Sequence, residues 1–200
     1  MTRKLVLIRH AITTAPKNTL LGRNDLPLSK EGVENCQLLK NSLKIQNTRV
    51  KYIVSDLIRA KQTAEILLPS AEFTVDPKIN EIDFGRWSGL SIDEISRDYP
   101  DLMKKWADDP MKFSFPGGES VEDFISRIRE FITIYVSGSQ DHLVLVCHGG
   151  VIRFIICALL NIDFRHHLGF EIHRPSLNVI DHDGNYGVLS GLNLTQFEFK

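Results

Sequence analysis

The sequence has few cysteines, only three in 200 residues. An odd number of cysteines cannot all pair within one chain, and Cys36, Cys147 and Cys157 each lie among apolar neighbours. We therefore expect small buried thiols, not disulfides or metal ligands. This pattern argues against a disulfide-built secreted domain and favours a reducing compartment, the cytoplasm.

The sequence also lacks a charge excess and long apolar runs. Its formal net charge of -1 argues against a nucleic-acid partner, because nucleic-acid-binding domains carry a basic excess. The apolar stretch before Arg9 is too short for a signal peptide, and no other run reaches membrane-spanning length. With 42% hydrophobic and 24% charged residues, the composition is that of an ordinary globular protein. The expected partner is a small molecule, which a few local arginines can bind even if it is anionic.

The hydrophobic pattern predicts strands that alternate with helices. No repeat or linker divides the chain, so we predict a single domain over residues 1–200. The predicted strands are residues 5–8, 52–54, 73–75 and 143–146. The predicted helices are residues 30–44, one carrying Ala60, Ala64 and Leu67, two short ones within 91–109, one from Ser120, and 151–160. Such alternation implies a mostly parallel sheet with helices on both faces, to which a hairpin around Asp183 and Gly184 adds antiparallel strands.

Three of the predicted strands lead into basic residues. Residues 5–8 run directly into Arg9 and His10, residues 52–54 are followed by Arg59 at the start of a helix, and residues 143–146 lead into His148. Ligands of open α/β sheets bind beyond the carboxyl ends of the strands. We therefore expect two arginines and two histidines to converge from distant parts of the chain.

This set of side chains suits a phosphoryl group. Guanidinium groups give paired hydrogen bonds to phosphate oxygens, and a neutral imidazole is available as a nucleophile near neutral pH. Attack by His10 would form a phosphohistidine, with Arg9, Arg59 and a protonated His148 stabilising the transition state. Glu81 is the expected proton donor to the leaving group, and Asp83 is the alternative. This chemistry requires no metal and no cofactor.

Several ordered segments resemble the histidine phosphatase superfamily, in its phosphoglycerate mutase-like branch. They are residues 7–10 (LIRH) with Thr13, Gly22 with residues 25–29 (DLPLS), 55–64 (SDLIRAKQTA), 81–89 (EIDFGRWSG), 116–120 (PGGES) and 146–150 (VCHGG). The resemblance implies a three-layer α/β/α sandwich with a mostly parallel central sheet. It also implies a phosphorylated His10, a phosphate site made by Arg9, Arg59 and His148, and Glu81 as proton donor.

The sequence departs from the family pattern in the loop after the nucleophile. Ala11 stands where the family has glycine, and it would strain the backbone if that position requires a positive φ. The asparagine usual a few residues later is missing, and Asn18 or Arg23 would replace its phosphate contact. We assign Thr13, Gly22 and Arg23 as candidate substrate-binding residues.

Within the family, the short length and residues 84–89 resemble the phosphatases more than the longer mutases. Residues 22–29 and the overall length resemble the alpha-ribazole phosphatases, which remove a 5'-phosphate during cobalamin assembly. We therefore predict a phosphomonoesterase acting on a small phosphorylated metabolite, with alpha-ribazole 5'-phosphate as the first hypothesis. Two alternatives stay open: a phosphoglycerate mutase, and a catalytically idle phosphate-binding module.

A metal-dependent hydrolase is a further alternative, built from the histidines and aspartates of the C-terminal quarter: His166, His167, His173, His182, Asp181 and Asp183. Adjacent histidines rarely ligate one metal, and no helical His-x-x-x-His pair occurs here, so a surface loop is the preferred interpretation. The C-terminal hairpin presents the edge at which we expect a contact if the chain forms a homodimer.

Overall fold

The computed structural model of the chain describes residues 2–45, 49–136 and 142–199. The strands are β1 (Arg3–Arg9), β2 (Leu43–Ile45), β3 (Val50–Val54), β4 (Phe73–Val75), β5 (His142–Cys147), β6 (Ser176–His182), β7 (Gly187–Leu194) and β8 (Phe197–Phe199). Six of these described strands form one sheet in the order β4-β3-β5-β1-β6-β7. The first four are parallel, and β6 and β7 extend the sheet as the predicted antiparallel hairpin.

Helices cover both faces of this sheet. They are α1 (Lys30–Asn41), α2 (Ile58–Leu67), α3 (Ile92–Asp98), α4 (Pro100–Asp108), α5 (Val121–Tyr135) and α6 (Gly149–Leu159). Alternate residues of β1 serve opposite faces: Leu5 and Leu7 pack with residues of α5 and α6, whereas Val6 and Ile8 pack with residues of α1 and α2. A strand that is buried on both faces has a continuous apolar sequence, which is why β1 could be predicted from the sequence. The predicted three-layer α/β/α sandwich is confirmed.

The helix predicted over residues 30–44 is shorter than expected. It begins as predicted, with the Ser29 Oγ accepting the N–H of Gly32 at 3.1 Å, but it ends at Asn41. The next residues form β2, which pairs in parallel with β8 near the other end of the chain. The prediction was wrong here because a long-range pairing overrides the local helical pattern.

Residues 84–115 place an aromatic cluster beside the sheet. Trp87 is fully buried, and its ring centroid lies 5.3 Å from that of Phe113 and 5.6 Å from that of Trp106. Phe84 packs edge-on against Phe115 at 4.9 Å. The cluster holds the segment that follows β4, which brings Glu81 towards the carboxyl ends of the parallel strands.

The three cysteines are buried and free, as the sequence predicts. Among the described helices, none combines the length and the apolar character needed to cross a membrane.

Candidate active site

His10 lies at the carboxyl end of β1 with its ring oriented by the backbone. The backbone N–H of His10 donates to the carbonyl of Cys147 at 2.9 Å, and the residue is only 3% exposed. The ring Nδ1 lies 2.8 Å from the carbonyl oxygen of Ala11. Because a carbonyl can only accept, Nδ1 carries the hydrogen, and Nε2 is left with its lone pair. His10 is therefore held in the tautomer that a nucleophile requires.

The surroundings keep His10 neutral. Burial lowers the pKa of His10 well below its usual range, and the positive charges of Arg59 and Arg9 lower that pKa further. The unprotonated imidazole thus stays available at neutral and mildly acidic pH.

Arg9 and Arg59 are charged groups with no carboxylate ion pair in the part of the chain that the structure describes. Arg9 donates from Nη1 to the carbonyl of Ile172, and Arg59 donates to the carbonyls of Gly22 at 2.6 Å and Asn24 at 2.8 Å. Burial lowers the pKa of Arg9 to about 9 and that of Arg59 to about 10, so both remain cationic at neutral pH. Buried cations without a paired carboxylate favour the binding of an anion between them.

His148 lies next to His10, with 5.1 Å between the ring centroids, and is fully buried. Its Nε2 lies 2.7 Å from the Oγ of Ser55. Burial, then the neighbouring His10 and Arg59, lower the pKa of His148 well below its usual range. Burial and the surrounding positive charges therefore favour the neutral form of His148 in the unliganded site, whereas the protonated His148 expected from the sequence concerns the transition state.

Three buried nitrogen atoms beside His10 have no hydrogen-bond partner within the described chain: the Nε of Arg9, the Nε of Arg59 and the Nδ1 of His148. Buried polar atoms without partners are rare in folded proteins, so each one requires an explanation. The charges of Arg9 and Arg59 act on His10, and the ring of His148 lies 5.1 Å from that of His10. Phosphate oxygens would satisfy the three nitrogens together once the Nδ1 of His148 carries a hydrogen. The site is thus arranged to bind an oxyanion beside a nucleophilic imidazole.

Glu81, not Asp83, lines the same cavity as His10. The Oε2 of Glu81 accepts the N–H of Gly150 at 3.2 Å, at the start of α6. Asp83 instead accepts the N–H of Gly85 at 2.9 Å, within its own turn. The structure therefore brings the first of the two candidate proton donors to the site.

Gly150 leaves room for this position of Glu81, because a Cβ on residue 150 would lie 2.3 Å from the Oε1 of Glu81. We predict that Gly150→Ala displaces the carboxylate and lowers kcat by roughly tenfold to a hundredfold, since misplacement by about 1 Å has effects of that size. Steady-state kinetics would measure the loss. Gly169→Ala is the matched control, because a Cβ there meets no atom within 4 Å. Equal activities in the two variants would contradict this account of Glu81.

A cavity of about 230 Å³ opens in front of His10. Its apolar wall includes Leu20, Phe84, Trp106, Met111, Phe124 and Phe154. Its polar groups beyond the phosphate site and Glu81 are Thr19, Arg153, His167 and Arg174.

Only Gly22 of the three candidate substrate-binding residues lines this cavity. Thr13 is buried and forms an isolated β-bridge with Leu28. Arg23 forms an ion pair with Glu119, with 3.5 Å between its Nη2 and the Oε2 of Glu119. Ala11 is not among the described residues with positive φ; it packs in the core beneath the site, so the expected strain does not arise.

Sequence reasoning missed two pairs of residues that support the site. Ser55 and Asn80 contact each other, and Ser55 also contacts His148, while Arg127 and Glu119 form a partly buried ion pair at 2.6 Å that holds the segment around Glu81. Ser55 directly follows β3, which was a usable signal. Glu119 lies in the segment 116–120 that carries part of the family resemblance, whereas Asn80 and Arg127 make contacts that join distant parts of the sequence and left no local pattern.

The alternative metal site does not assemble in the described ranges, where no three His, Cys, Asp or Glu side chains gather to hold a metal ion. Asp181 pairs with Lys4 at 2.6 Å, and the Nδ1 of His182 accepts the N–H of Gly184 at 3.1 Å. His167 lies at the cavity, with its Nδ1 2.8 Å from the carbonyl of Phe164. These residues are engaged separately: His166 and His167 lie in a short 3-10 helix, Asp181 and His182 lie in β6, and Asp183 lies in the turn that follows.

A histidine nucleophile, a second histidine and two arginines at the carboxyl edge of an α/β/α sandwich define a class of phosphatases that act through histidine. The profile of the histidine phosphatase superfamily (branch 1) matches residues 5–195, and the chain belongs to this family. It is 31% identical over 196 residues to phosphoserine phosphatase 1 of Hydrogenobacter thermophilus, covering 96% of this chain and 92% of that relative.

Solved structures share the fold over nearly the whole chain. A putative alpha-ribazole-5'-P phosphatase from Escherichia coli superimposes with a TM-score of 0.90 at 23% identity, covering 99% of each chain. The mycobacterial glucosyl-3-phosphoglycerate phosphatase superimposes with a TM-score of 0.82 at 27% identity, covering 96% of this chain and 99% of that one. The fold is therefore shared by proteins that are named as phosphatases of different substrates.

Proposed function

We propose that this protein is a metal-independent phosphomonoesterase that transfers the phosphoryl group of its substrate to the Nε2 of His10. The observation that carries the proposal is the set of three unpartnered nitrogens around that imidazole. As Nε2 forms its bond to phosphorus, the ester P–O bond breaks and Glu81 donates a proton to the leaving oxygen. Water then attacks the phosphohistidine and passes a proton to Glu81, which releases phosphate and restores neutral His10.

The first candidate substrate is alpha-ribazole 5'-phosphate. The wall of the cavity is apolar and includes the rings of Phe84, Trp106 and Phe124, which suit a flat aromatic base. The similarity of fold to structures named alpha-ribazole phosphatases agrees with this choice.

The proposed compartment is the cytoplasm, on the grounds of the free, buried cysteines.

A second candidate is a phosphorylated acid such as phosphoserine. Arg153 and Arg174 line the cavity and form no carboxylate ion pair within the described residues. Arg153 donates its Nε to the carbonyl of Phe170 at 2.7 Å, which leaves the outer nitrogens of its guanidinium for a ligand. A substrate carboxylate would offset the charge of these arginines, and the relative named phosphoserine phosphatase supports this alternative.

Phosphate release from a substrate panel in excess chelator tests the proposal. The panel contains alpha-ribazole 5'-phosphate, phosphoserine, 3-phosphoglycerate and p-nitrophenyl phosphate. Preference for the first supports the ribazole hypothesis, and preference for the second supports the phosphorylated acid. Isomerisation of phosphoglycerate without release of free phosphate would identify a mutase. Tight binding without turnover would identify an idle phosphate-binding module. Loss of activity when chelator is added would identify a metal-dependent enzyme.

Arg174→Gln separates the two substrate classes. If a carboxylate binds there, we predict that kcat/KM for phosphoserine falls roughly tenfold to a hundredfold, the size expected for a charge-assisted hydrogen bond. The value for alpha-ribazole 5'-phosphate should change much less, since it lacks a carboxylate. Arg165→Gln is the control, because Arg165 is exposed and pairs with Asp163. A parallel fall for both substrates would place Arg174 at the shared phosphate.

A further inference from the structure

Asn80, Ser55 and His148 form a buried chain of hydrogen bonds. The Oδ1 of Asn80 accepts the N–H of Asp56 at 2.9 Å, which fixes the orientation of the amide. The Oγ of Ser55 lies 2.7 Å from the same Oδ1, so the hydroxyl must donate to it. Its remaining lone pairs accept the N–H of Leu57 at 3.3 Å and face the Nε2 of His148 at 2.7 Å.

The direction of this chain determines the tautomer of His148. With its own hydrogen given to Asn80, Ser55 can only accept from the imidazole, so Nε2 is the protonated nitrogen. The other nitrogen, Nδ1, is buried and has no partner in the described chain. In the neutral ring Nδ1 carries a lone pair, which would repel a phosphate oxygen. It becomes a donor only when it gains a proton.

We propose that Ser55 and Asn80 are positioning residues that hold His148 as the Nε2–H tautomer, so that its Nδ1 takes up one proton when a phosphate dianion binds and donates it to a phosphate oxygen. This inference rests on the proposed function, because it places phosphate beside His10. The proton comes from solvent water on binding and returns to it when phosphate leaves, and no other bond is made or broken.

The charges that face His148 explain why the proton arrives with the ligand. The groups that act on it are His10 and Arg9 from the β1 end, Arg59 from α2 and Arg127 from α5, and none of them is negative. The carboxylate near this group is that of Glu81, whose Oε2 accepts the N–H of Gly150 at the start of α6. Without ligand, burial lowers the pKa of His148 well below its usual range, and the positive charges of the arginines lower it further. A bound dianion offsets the cations, and the imidazolium then becomes the favoured form.

Nitrogen NMR of the full chain labelled in its histidine rings tests the tautomer directly. At neutral pH and without ligand, we expect His148 to show a protonated Nε2 and an unprotonated Nδ1. Saturation with inorganic phosphate should protonate both nitrogens. A free protein with Nδ1–H, or a ring that stays neutral in bound phosphate, overturns the inference.

Two substitutions test the positioning residues separately. Ser55→Ala removes the acceptor, so we expect a mixture of tautomers and roughly a tenfold weaker inhibition by inorganic phosphate, while Ser55→Thr keeps the hydroxyl and should restore both. Asn80→Asp keeps the acceptor and adds a negative charge, so the pH at which His148 titrates in the free protein should rise by roughly one to three units. An unchanged tautomer in Ser55→Ala, or an unchanged titration in Asn80→Asp, contradicts the proposal.

The two proposals can fail separately. Turnover through His10 with no proton uptake by His148 would remove the positioning role and leave the phosphatase intact. Proton uptake by His148 on phosphate binding, in a protein that hydrolyses no phosphomonoester, would leave the inference and remove the proposed function.

Discussion

Replacing His10 with alanine is expected to lower kcat by roughly 10⁴-fold or more, the scale seen when a covalent nucleophile is removed. The loss follows because the Nε2 of His10 is the atom that would carry the phosphoryl group. The neighbouring imidazole of His148 is not expected to take its place, because its Nε2 faces the Oγ of Ser55 and its Nδ1 is proposed to be protonated when phosphate binds, which leaves no free lone pair. Initial rates with p-nitrophenyl phosphate and with the best substrate of the panel would measure the effect.

His173→Ala is the matched control for this experiment. His173 is an exposed histidine whose Nε2 lies 3.5 Å from a carboxylate oxygen of Glu171, and it is not one of the residues that line the cavity. This variant should keep full activity. Quenching without acid should also reveal a phosphorylated protein in the native chain and none in His10→Ala. Turnover that survives the loss of His10 would mean that the reaction does not pass through this residue.

The parts of the site that the sequence predicted are those that adjoin buried strands. Arg9 and His10 follow a continuous apolar run, and His148 follows another, so their place at the carboxyl edge of the sheet depends only on recognising β1 and β5. Parallel pairing of these strands then brings their ends together, with Arg9 opposite Cys147. Local pattern and sheet geometry are sufficient for this part of the chemistry.

The parts that could not be predicted depend on contacts between distant, irregular segments. β2 and β8 are short, and each is recognisable only through the other. Asn80 follows a turn and gives no periodic signal, and the loop carrying Thr13 and Arg23 has no regular element that fixes where its side chains point. For the same reason the cavity wall, which comes from several loops and helices, could not be derived.

Arg127 and Glu119 show how such distant contacts serve the proposed chemistry. Arg127 donates to the carbonyls of Lys78 at 2.6 Å and Glu81 at 3.2 Å, and Glu119 accepts the N–H of Asp83 at 3.2 Å. Their mutual ion pair thus fixes the backbone on both sides of the Glu81 side chain. A group held this firmly is suited to transfer a proton in one defined direction.

Replacing Glu81 with glutamine is therefore the second substitution with a large expected effect. The amide keeps the size of the side chain and an oxygen for the N–H of Gly150, but it cannot donate the proton that an alkoxide leaving group requires. We expect kcat/KM for alkyl phosphates to fall by roughly 10²- to 10⁴-fold, the usual contribution of general acid catalysis. With p-nitrophenyl phosphate the fall should be much smaller, because nitrophenolate leaves without a proton.

The second half of the reaction makes this test sharper. Hydrolysis of the phosphohistidine is the same for every substrate, and it would lose the base that Glu81 provides. Glu81→Gln should therefore release about one nitrophenol per protein in a fast burst, followed by slow turnover. Glu171→Gln, at an exposed carboxylate, should behave as the native chain. If kcat/KM instead falls equally for both kinds of leaving group, Glu81 acts by orienting the cations around it. Loss of a proton donor would slow the release of an alkoxide much more than the release of nitrophenolate.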